Sequence, residues 1–232
     1  MSRTDVSVVL AHGAWADGSS WSKVIGPLKA DGLKVVAAPL PLTSLADDVA
    51  ALDRTLERID GPVVLVGHAY AGAVIAATRR ANVTSLVYIA ALAPDEGETV
   101  ADVFYRAEPH PMAPKLAPDS HTLIWLPDDA FAAAFAQHAS NGELALLSAV
   151  QRPIAVSCIT VKVDRPLWKD RPSWYLVAEQ DRMIVPDTQR FLAQRMNARV
   201  RSHPVDHTPL VTAPDDVVDI IREAVRAAAA QT

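Results

Sequence analysis

A short segment near residue 70 has the form of a turn that presents a catalytic nucleophile. It reads G-H-A-Y-A-G at residues 67–72, after an apolar run at 62–66 and before a helix-like run at 73–80. A strand that turns sharply into a helix through the pattern G-x-S-x-G exposes a serine hydroxyl above a sheet. Here Ala69 stands at the serine position, and its methyl group can attack nothing. The segment therefore predicts where a site lies, without the nucleophile that would normally act there.

An acid and a histidine further along the chain could act as a catalytic pair. Asp181 follows an apolar run at 174–177, and His207 follows a run at 199–203. A histidine that is oriented by a carboxylate can take a proton from a nucleophile or from water. We predict Asp181 and His207 as this pair.

Each of the two has a competitor nearby in the sequence. Glu179 is the alternative acid. Asp181 is preferred because an acid in a short loop, followed by a helix that opens with proline at Pro186, resembles the place of the aspartate in a catalytic triad. His203 is the alternative base, but it lies at a strand end, where we expect it to face a neighbouring element.

The segment after the first apolar run offers groups that could stabilise a developing negative charge. It reads H-G-A-W at residues 12–15, and the small residues Gly13 and Ala14 leave room for a backbone N–H to point into a site. We expect the N–H of Ala14 and the N–H of Tyr70 to form an oxyanion hole. The residues predicted to contact a substrate are His12, Gly13, Trp15, His68 and Trp125.

Apolar runs of strand length alternate with helical patterns, which predicts an α/β fold with a mostly parallel sheet of about six strands flanked by helices. The predicted strands are 6–11, 33–38, 63–66, 85–90, 174–177 and 199–203. The predicted helices are 20–30, 44–59, 73–80, 186–196 and 214–229. Open α/β sheets bind ligands beyond the carboxyl ends of their strands. The candidate residues all follow strands, so we expect them to meet at that edge.

The interval from about residue 94 to 171 interrupts this alternation. It is rich in proline and has two short helical patterns, at 128–139 and 143–150. Its aliphatic and aromatic residues are too many for a solvated loop and could wall an apolar cleft; they are Phe104, Tyr105, Leu123, Ile124, Trp125, Phe131 and Phe135. We predict a small helical lid here, inserted in a single domain that spans residues 1–232.

Composition excludes several classes of function. The formal net charge of the 232-residue chain is -5, and no basic face for nucleic acid is indicated. No phosphate-binding glycine loop or H-E-x-x-H spacing is present, so neither a cofactor nor a metal is expected. No apolar run matches a membrane span, and the first residues do not resemble a signal peptide. Since Cys158 is the single cysteine, we expect a cytoplasmic protein without disulfides, with a homodimer as a possible assembly.

The chain resembles the α/β-hydrolase superfamily, and in particular the compact esterases that include plant methyl esterases and hydroxynitrile lyases. The segments that carry the resemblance are A-H-G-A-W at 11–15, Trp21, V-G-H-A-Y-A-G-A-V-I at 66–75 and L-V-Y-I-A-A at 86–91. The chain order of turn, acid and histidine is also that of the superfamily. The resemblance implies an α/β-hydrolase fold and hydrolysis of small apolar carboxylic esters through an acyl-serine.

Two residues depart from the family pattern, which has serine at position 69 and usually glycine at position 71. Loss of the serine in a Ser-His-Asp enzyme costs about a million-fold in turnover, so ordinary ester hydrolysis is expected to be very low. Ala69 is either an engineered serine replacement or a natural feature; the second change, Ala71, favours a natural one.

Two functional hypotheses follow. In the first, the protein is an esterase-like hydrolase that acts on small apolar esters or related carbonyl compounds, with His207 as a general base in a slow hydrolytic, lyase or isomerase step. In the second, it binds such a ligand without converting it.

Overall fold

The computed structural model describes residues 6–230, and its centre is one sheet of six parallel strands in the order β2-β1-β3-β4-β7-β8. A separate antiparallel pair is formed by β5 and β6. The strands in this part of the chain are β1 Ser7–Ala11, β2 Lys34–Ala38, β3 Val63–His68, β4 Val83–Ile89, β5 Leu123–Ile124, β6 Ile154–Ala155, β7 Ser173–Ala178 and β8 Arg199–His203. The predicted parallel sheet of about six strands is confirmed.

Burial along the sheet follows from the position of each strand. Every residue of β1, β3 and β7 is buried, as expected for parallel strands that are covered on both faces. The last strand, β8, has charged and exposed residues because it forms an edge of the sheet. Strands with mostly apolar or small side chains thus occupy the middle of the sheet. The charged residues of β8 disfavour pairing of this edge strand with another chain.

The helices of the described chain are α1 Ser22–Ala30, α2 Leu45–Leu56, α3 Ala71–Ala77, α4 Val100–Phe104, α5 Asp128–Ala130, α6 Asn141–Ala149, α7 Val156–Ile159, α8 Pro186–Arg195, α9 Pro209–Thr212 and α10 Pro214–Ala229. Of these, α2, α6, α8 and α10 agree with the predicted helices to within a few residues, whereas α4, α7 and α9 were not predicted. Helix α10 packs on α1 and crosses β3, β4 and β7, and α2 packs on α3. The cap of α2 is Ser44, whose hydroxyl accepts a hydrogen bond from the Asp47 N–H.

Three expected helices differ in extent from the structure. The helix predicted at 20–30 is divided into a 3-10 turn at Gly18–Trp21 and α1. The pattern at 128–139 gives only α5 and a π turn, Phe131–Phe135. The helix predicted at 73–80 begins at Ala71 instead, because the turn after β3 enters the helix at once.

Residues between β4 and β7 contain α4 to α7 and the β5–β6 pair, and they pack over the strand ends. Phe131 and Phe135 are buried, and the ring of Phe135 meets the ring of Trp15 edge-on with centroids 6.2 Å apart. The Trp15 Nε1–H donates to the Ile124 carbonyl at 2.9 Å. No helix within residues 6–230 combines the length and apolar character needed to cross a bilayer.

Candidate functional site

The turn between β3 and α3 has the sharp geometry that its sequence predicts. Ala69 adopts φ +48°, a left-handed conformation that a non-glycine residue rarely takes. Its N–H donates to the Ile89 carbonyl at 3.2 Å, and its carbonyl accepts from the N–H groups of Gly72 and Leu92 at 3.1 and 3.0 Å. These bonds hold the strained residue and direct its side chain at the edge of a cavity, which Ala69 lines.

Asp181 and His207 lie together, each after its strand. The His207 Nδ1–H donates to Asp181 Oδ2 at 2.8 Å, and both side chains are buried. Asp181 also accepts from the N–H groups of Met183 and Ile184 at 2.7 and 2.9 Å, and from the side chain of Gln189 at 2.8 Å. These donors hold the carboxylate in place, and Nε2 is the ring nitrogen of His207 that is not bonded to Asp181. This imidazole lines the same cavity as Ala69.

A second histidine, His68, lies beside His207 and forms a hydrogen bond with its backbone. The His68 Nε2–H donates to the His207 carbonyl at 2.7 Å, and the two rings lie 4.9 Å apart between centroids. Burial, together with the neighbouring His207, lowers the pKa of His68 to about 3. His68 is therefore a neutral donor that orients the backbone of His207.

The predicted oxyanion donors both line the cavity. Among the described residues, the N–H groups of Ala14 and Tyr70 donate to no protein acceptor, so they are free for a ligand. The loop that carries Ala14 is held by hydrogen bonds on both sides of that residue. The Trp15 N–H donates to the Arg152 carbonyl at 3.1 Å. His12 accepts from the Leu40 N–H at 3.2 Å through Nε2 and donates to the Gly13 carbonyl at 2.9 Å through Nδ1. Burial lowers the pKa of His12, consistent with this neutral form.

Glycine at position 13 allows this loop to approach the turn after β3. A Cβ atom at position 13 would lie 3.0 Å from the Cβ of Ala69 and 3.1 Å from the Nδ1 of His68. A larger residue would separate the two segments that carry the candidate oxyanion donors.

The cavity itself is small and almost entirely apolar. It encloses a water-accessible volume of about 60 Å³, enough for a few water molecules. Its apolar walls include Leu92, Val100, Phe104, Tyr105, Leu116 and Ile124. An outer cavity of about 420 Å³ shares Phe104, Tyr105, Leu116 and Met183 with it. The two spaces therefore adjoin beneath the segment between β4 and β7.

The structure brings most of the predicted site residues together, with some in supporting positions. Ala14, Trp15, Ala69, Tyr70 and His207 line the cavity, and Asp181 lies directly behind His207. The side chains of His12 and His68 bond to backbone groups beside it. Trp125 does not line the cavity: its side chain is 48% exposed, and its Nε1–H donates to Asp119.

Sequence reasoning did not single out several wall residues, namely Leu92, Val100, Leu116, Ile154 and Ile159. Leu92 alone carried a usable signal, because it follows closely after a predicted strand. Val100, Ile154 and Ile159 belong to short elements between β4 and β7 and Leu116 to an irregular stretch there, and no local pattern indicates the direction of either.

Among residues 6–230, neither of the two nearest candidates takes the place of the serine. The Thr208 hydroxyl donates to the Phe135 carbonyl at 3.0 Å and is buried. Burial raises the pKa of the Cys158 thiol to about 12, so a thiolate is strongly disfavoured. Within the described residues, no group of three His, Cys, Asp or Glu side chains could hold a metal ion.

Comparisons with known proteins agree with the fold. A family model described as "Alpha/beta hydrolase family" matches residues 8–220. Solved structures with the same fold include a pyrethroid hydrolase from Sphingobium faniae JZ-2, with a TM-score of 0.82, 20% identity, and coverage of 96% of this chain and 98% of the other.

Two further esterase structures are similar over nearly the whole chain. Polyneuridine aldehyde esterase has a TM-score of 0.76 and 19% identity, and 94% of this chain and 98% of the other are covered. The methylesterase MES16 from Arabidopsis has a TM-score of 0.78 and 17% identity, with coverage of 95% and 99%. No curated protein sequence matches the chain significantly. With the family model covering most of its length, the chain belongs to the alpha/beta hydrolase family.

Proposed function

We propose that this protein is an esterase-like member of the family that receives a small apolar ester or related carbonyl compound, and that turns it over slowly through His207. The observation that carries the proposal is the His207–Asp181 pair, which lines one cavity together with two unpaired backbone N–H groups. A buried pair and free donors in an apolar cavity suit a carbonyl group that gains negative charge during reaction.

The proposed reaction uses water in place of the missing serine. The carbonyl oxygen of the ester accepts hydrogen bonds from the N–H groups of Ala14 and Tyr70. The Nε2 of His207 removes a proton from a water molecule while the water oxygen attacks the carbonyl carbon, and Asp181 stabilises the imidazolium that forms. The ester C–O bond then breaks, and the imidazolium returns the proton to the departing alkoxide. The products are a carboxylic acid and an alcohol.

The walls of the two adjoining cavities support an apolar ligand. The inner cavity would hold the carbonyl with a short group, and the outer cavity would hold the remainder against Phe104, Tyr105 and Leu116. A sugar or phosphate would leave its polar groups unpaired here, at a cost of roughly 1–3 kcal/mol each.

A second candidate function is ligand binding without turnover, and Ala69 favours it directly. A serine enzyme that loses its nucleophile retains only the part of its rate that the oxyanion hole and substrate binding supply, about 10³–10⁴-fold over water. A protein selected for binding would need no more than the cavity.

Restoring the nucleophile tests the proposal. We expect Ala69→Ser to raise kcat for short-chain aryl esters by at least about a thousand-fold, with a burst of alcohol release that reports an acyl-enzyme. Stopped-flow absorbance with the natural chain and the variant side by side measures both quantities.

The control removes the base. His207→Ala should abolish the gain of Ala69→Ser and also the residual hydrolysis of the natural chain. If Ala69→Ser changes nothing, the site does not carry out acyl transfer. If the natural chain binds an ester saturably and His207→Ala leaves its residual rate unchanged, the binding function is correct instead.

A further inference from the structure

A second buried carboxylate, Asp48, lies close to the candidate site but outside the His207–Asp181 pair. It belongs to α2, and its side chain is fully buried. Among the described residues it forms no ion pair with a lysine, arginine or histidine. A carboxylate that is buried without a cation raises the free energy of the folded state. Its hydrogen-bond partners must therefore supply the stabilisation that a cation would otherwise give.

Three donors from three different segments meet at this carboxylate. The Tyr70 hydroxyl donates to Oδ2 at 2.7 Å, and the Leu42 N–H donates to Oδ1 at 2.7 Å. The Cys158 thiol makes a longer contact with Oδ2, at 3.7 Å. Burial raises the pKa of Asp48, while the hydrogen bond from Tyr70 opposes that rise. The cluster therefore joins α2 to the turn after β3 and to α7.

One of these partners is the residue whose N–H is a candidate oxyanion donor. Tyr70 follows Ala69 directly, and both residues line the inner cavity. The Tyr70 N–H has no protein acceptor among the described residues, and it lies in the same peptide plane as the Ala69 carbonyl, which accepts two hydrogen bonds. The other end of that plane is the Tyr70 Cα. The hydrogen bond from the Tyr70 hydroxyl to Asp48 anchors the far end of the side chain on this Cα, so loss of the anchor would let the Cα shift and the peptide plane that carries the N–H tilt.

We propose that Asp48 is a positioning residue, which holds the Tyr70 N–H in the direction that an oxyanion requires by anchoring the Tyr70 hydroxyl. This inference rests on the proposed function. A displacement of about 1 Å in a catalytic group can cost up to a hundred-fold in rate. Loss of one anchor, with the Ala69 bonds intact, should cost less.

Leu42 extends the same cluster toward the inserted segment. Its backbone has φ +61°, and its carbonyl accepts from the Ala155 N–H at 3.0 Å. Asp48 thus bonds to Tyr70 on one side and, through Leu42, is linked to β6 on the other. Ile154 of β6 lines the inner cavity.

A double-mutant cycle in the Ala69→Ser background tests the inference. We expect Asp48→Asn and Tyr70→Phe each to lower kcat for an aryl ester roughly tenfold, with KM within about twofold. If Asp48 acts through the tyrosine hydroxyl, the double variant should be no slower than the slower single variant. Effects on kcat that multiply, or an unchanged kcat in Asp48→Asn, would overturn the inference.

The matched control is Asp53→Asn, on the same helix. Asp53 also accepts a hydrogen bond from a hydroxyl, that of Thr78 at 2.6 Å, away from the turn after β3. It should leave kcat unchanged even if it lowers the melting temperature. An equal loss of kcat in Asp53→Asn would mean that the effect reflects stability alone, and the inference would be wrong.

A spectroscopic measurement on the natural chain separates this inference from the proposed function. Tyrosine labelled with ¹⁵N gives signals from the four tyrosines, and loss of one signal in Tyr70→Phe identifies Tyr70. Asp48→Asn should shift that amide signal and accelerate its hydrogen exchange, whereas Asp53→Asn should not. An inactive Ala69→Ser variant would refute the proposed function only. An unchanged chemical shift and exchange rate of the Tyr70 amide in Asp48→Asn would refute the positioning role, whatever the activity.

Discussion

At the scale of single residues, the turn after β3 depends on two glycines that the sequence pattern places at its ends. A Cβ atom at Gly67 would lie 2.9 Å from the Ala71 carbonyl oxygen, and one at Gly72 would lie 2.3 Å from the Leu92 carbonyl oxygen. Both contacts are with backbone, which cannot turn away as a side chain can. Position 71, where the family pattern usually has glycine, in contrast accommodates Ala71, which is completely buried at the start of α3.

We predict that Gly72→Ala destabilises the protein, because the new methyl group must displace the Leu92 backbone and weaken its bond to Ala69. The expected loss is about 1–3 kcal/mol in the free energy of unfolding, measured by urea denaturation. The control is Gly142→Ala, in the first turn of α6, where an added Cβ meets nothing within 4 Å. It should be neutral or stabilising by under about 1 kcal/mol; equal losses for both variants would contradict the steric account.

Single residues also show where sequence reasoning succeeds. The expectation that His203 faces a neighbouring element is confirmed, since its Nδ1 lies 3.2 Å from Asp216 Oδ1. Position at a strand end is a local property that the sequence contains. The tyrosine–aspartate contact is different: residues 48 and 70 belong to separate elements, and no spacing rule joins them.

At the scale of elements, one arginine attaches the segment between β4 and β7 to helix α8 beside the sheet. Arg195 of α8 donates to both carboxylate oxygens of Glu98, at 3.0 and 2.8 Å, and to the Ala93 carbonyl. Its guanidinium also lies over the ring of Phe191, 5.2 Å from the centroid. A bidentate arginine–carboxylate ion pair of this kind is stronger than a typical surface ion pair. Glu98 and Ala93 lie where the segment between β4 and β7 begins. Arg195 therefore holds the start of this segment against α8.

We predict that Arg195→Met makes local opening at the start of the segment between β4 and β7 more frequent. This effect should be larger than its effect on the free energy of unfolding of the whole protein. Hydrogen exchange of the amides from about residue 94 to 104 should accelerate roughly tenfold or more, as expected when a local opening loses its main bonds. Mass spectrometry of exchanged peptides measures this change.

The control is Arg222→Met, which breaks a pair with Asp31 at 2.8 Å on the surface. The Arg222 side chain is 37% exposed and that of Arg195 is 16% exposed, so water screens the control pair more strongly. Arg222→Met should leave the same peptides unchanged. Uniform acceleration over the whole chain in Arg195→Met would show that the arginine stabilises the fold as a unit.

The short elements of the insertion were beyond prediction for a physical reason. Helices α4, α5 and α7 have five, three and four residues, whereas an isolated helix shorter than about 12 residues gains too little to form alone. Such pieces are stabilised by what they pack against. The long helix α10 behaves oppositely: it was predicted at 214–229 and is found at Pro214–Ala229, with a proline in its first turn.

At the scale of the whole molecule, two histidines buried in neutral form make stability depend on pH. The pKa of His68 is lowered to about 3, chiefly by burial, and burial also lowers that of His12. An unfolded histidine titrates near 6.5, so the unfolded chain binds more protons between pH 6.5 and 3. The stabilisation is fully present above pH 6.5 and is lost as the pH falls through this window.

We predict that the free energy of unfolding falls with decreasing pH by up to about 1.4 kcal/mol per pH unit for each histidine. His68→Gln keeps a side-chain N–H donor and removes the titrating ring, so it should reduce the slope by up to one proton. Urea denaturation at several pH values between 4 and 7 gives the slope. His121→Gln, at an exposed position, should leave it unchanged; an unaltered slope in His68→Gln would refute the assignment.

The sequence by itself determined the alternation of strands and helices, the turn at residues 67–72 and the chain order of Ala69, Asp181 and His207. These features depend on local periodicity and on residues that follow strands, and parallel strands bring such residues to one edge. The tertiary structure alone decided the shape of the cavity, the exposed position of Trp125, and the partners of Asp48 and Arg195. The contact of Asp48 with Tyr70 joins residues 22 apart and that of Arg195 with Glu98 joins residues 97 apart, so both depend on how the elements pack, which no local pattern encodes.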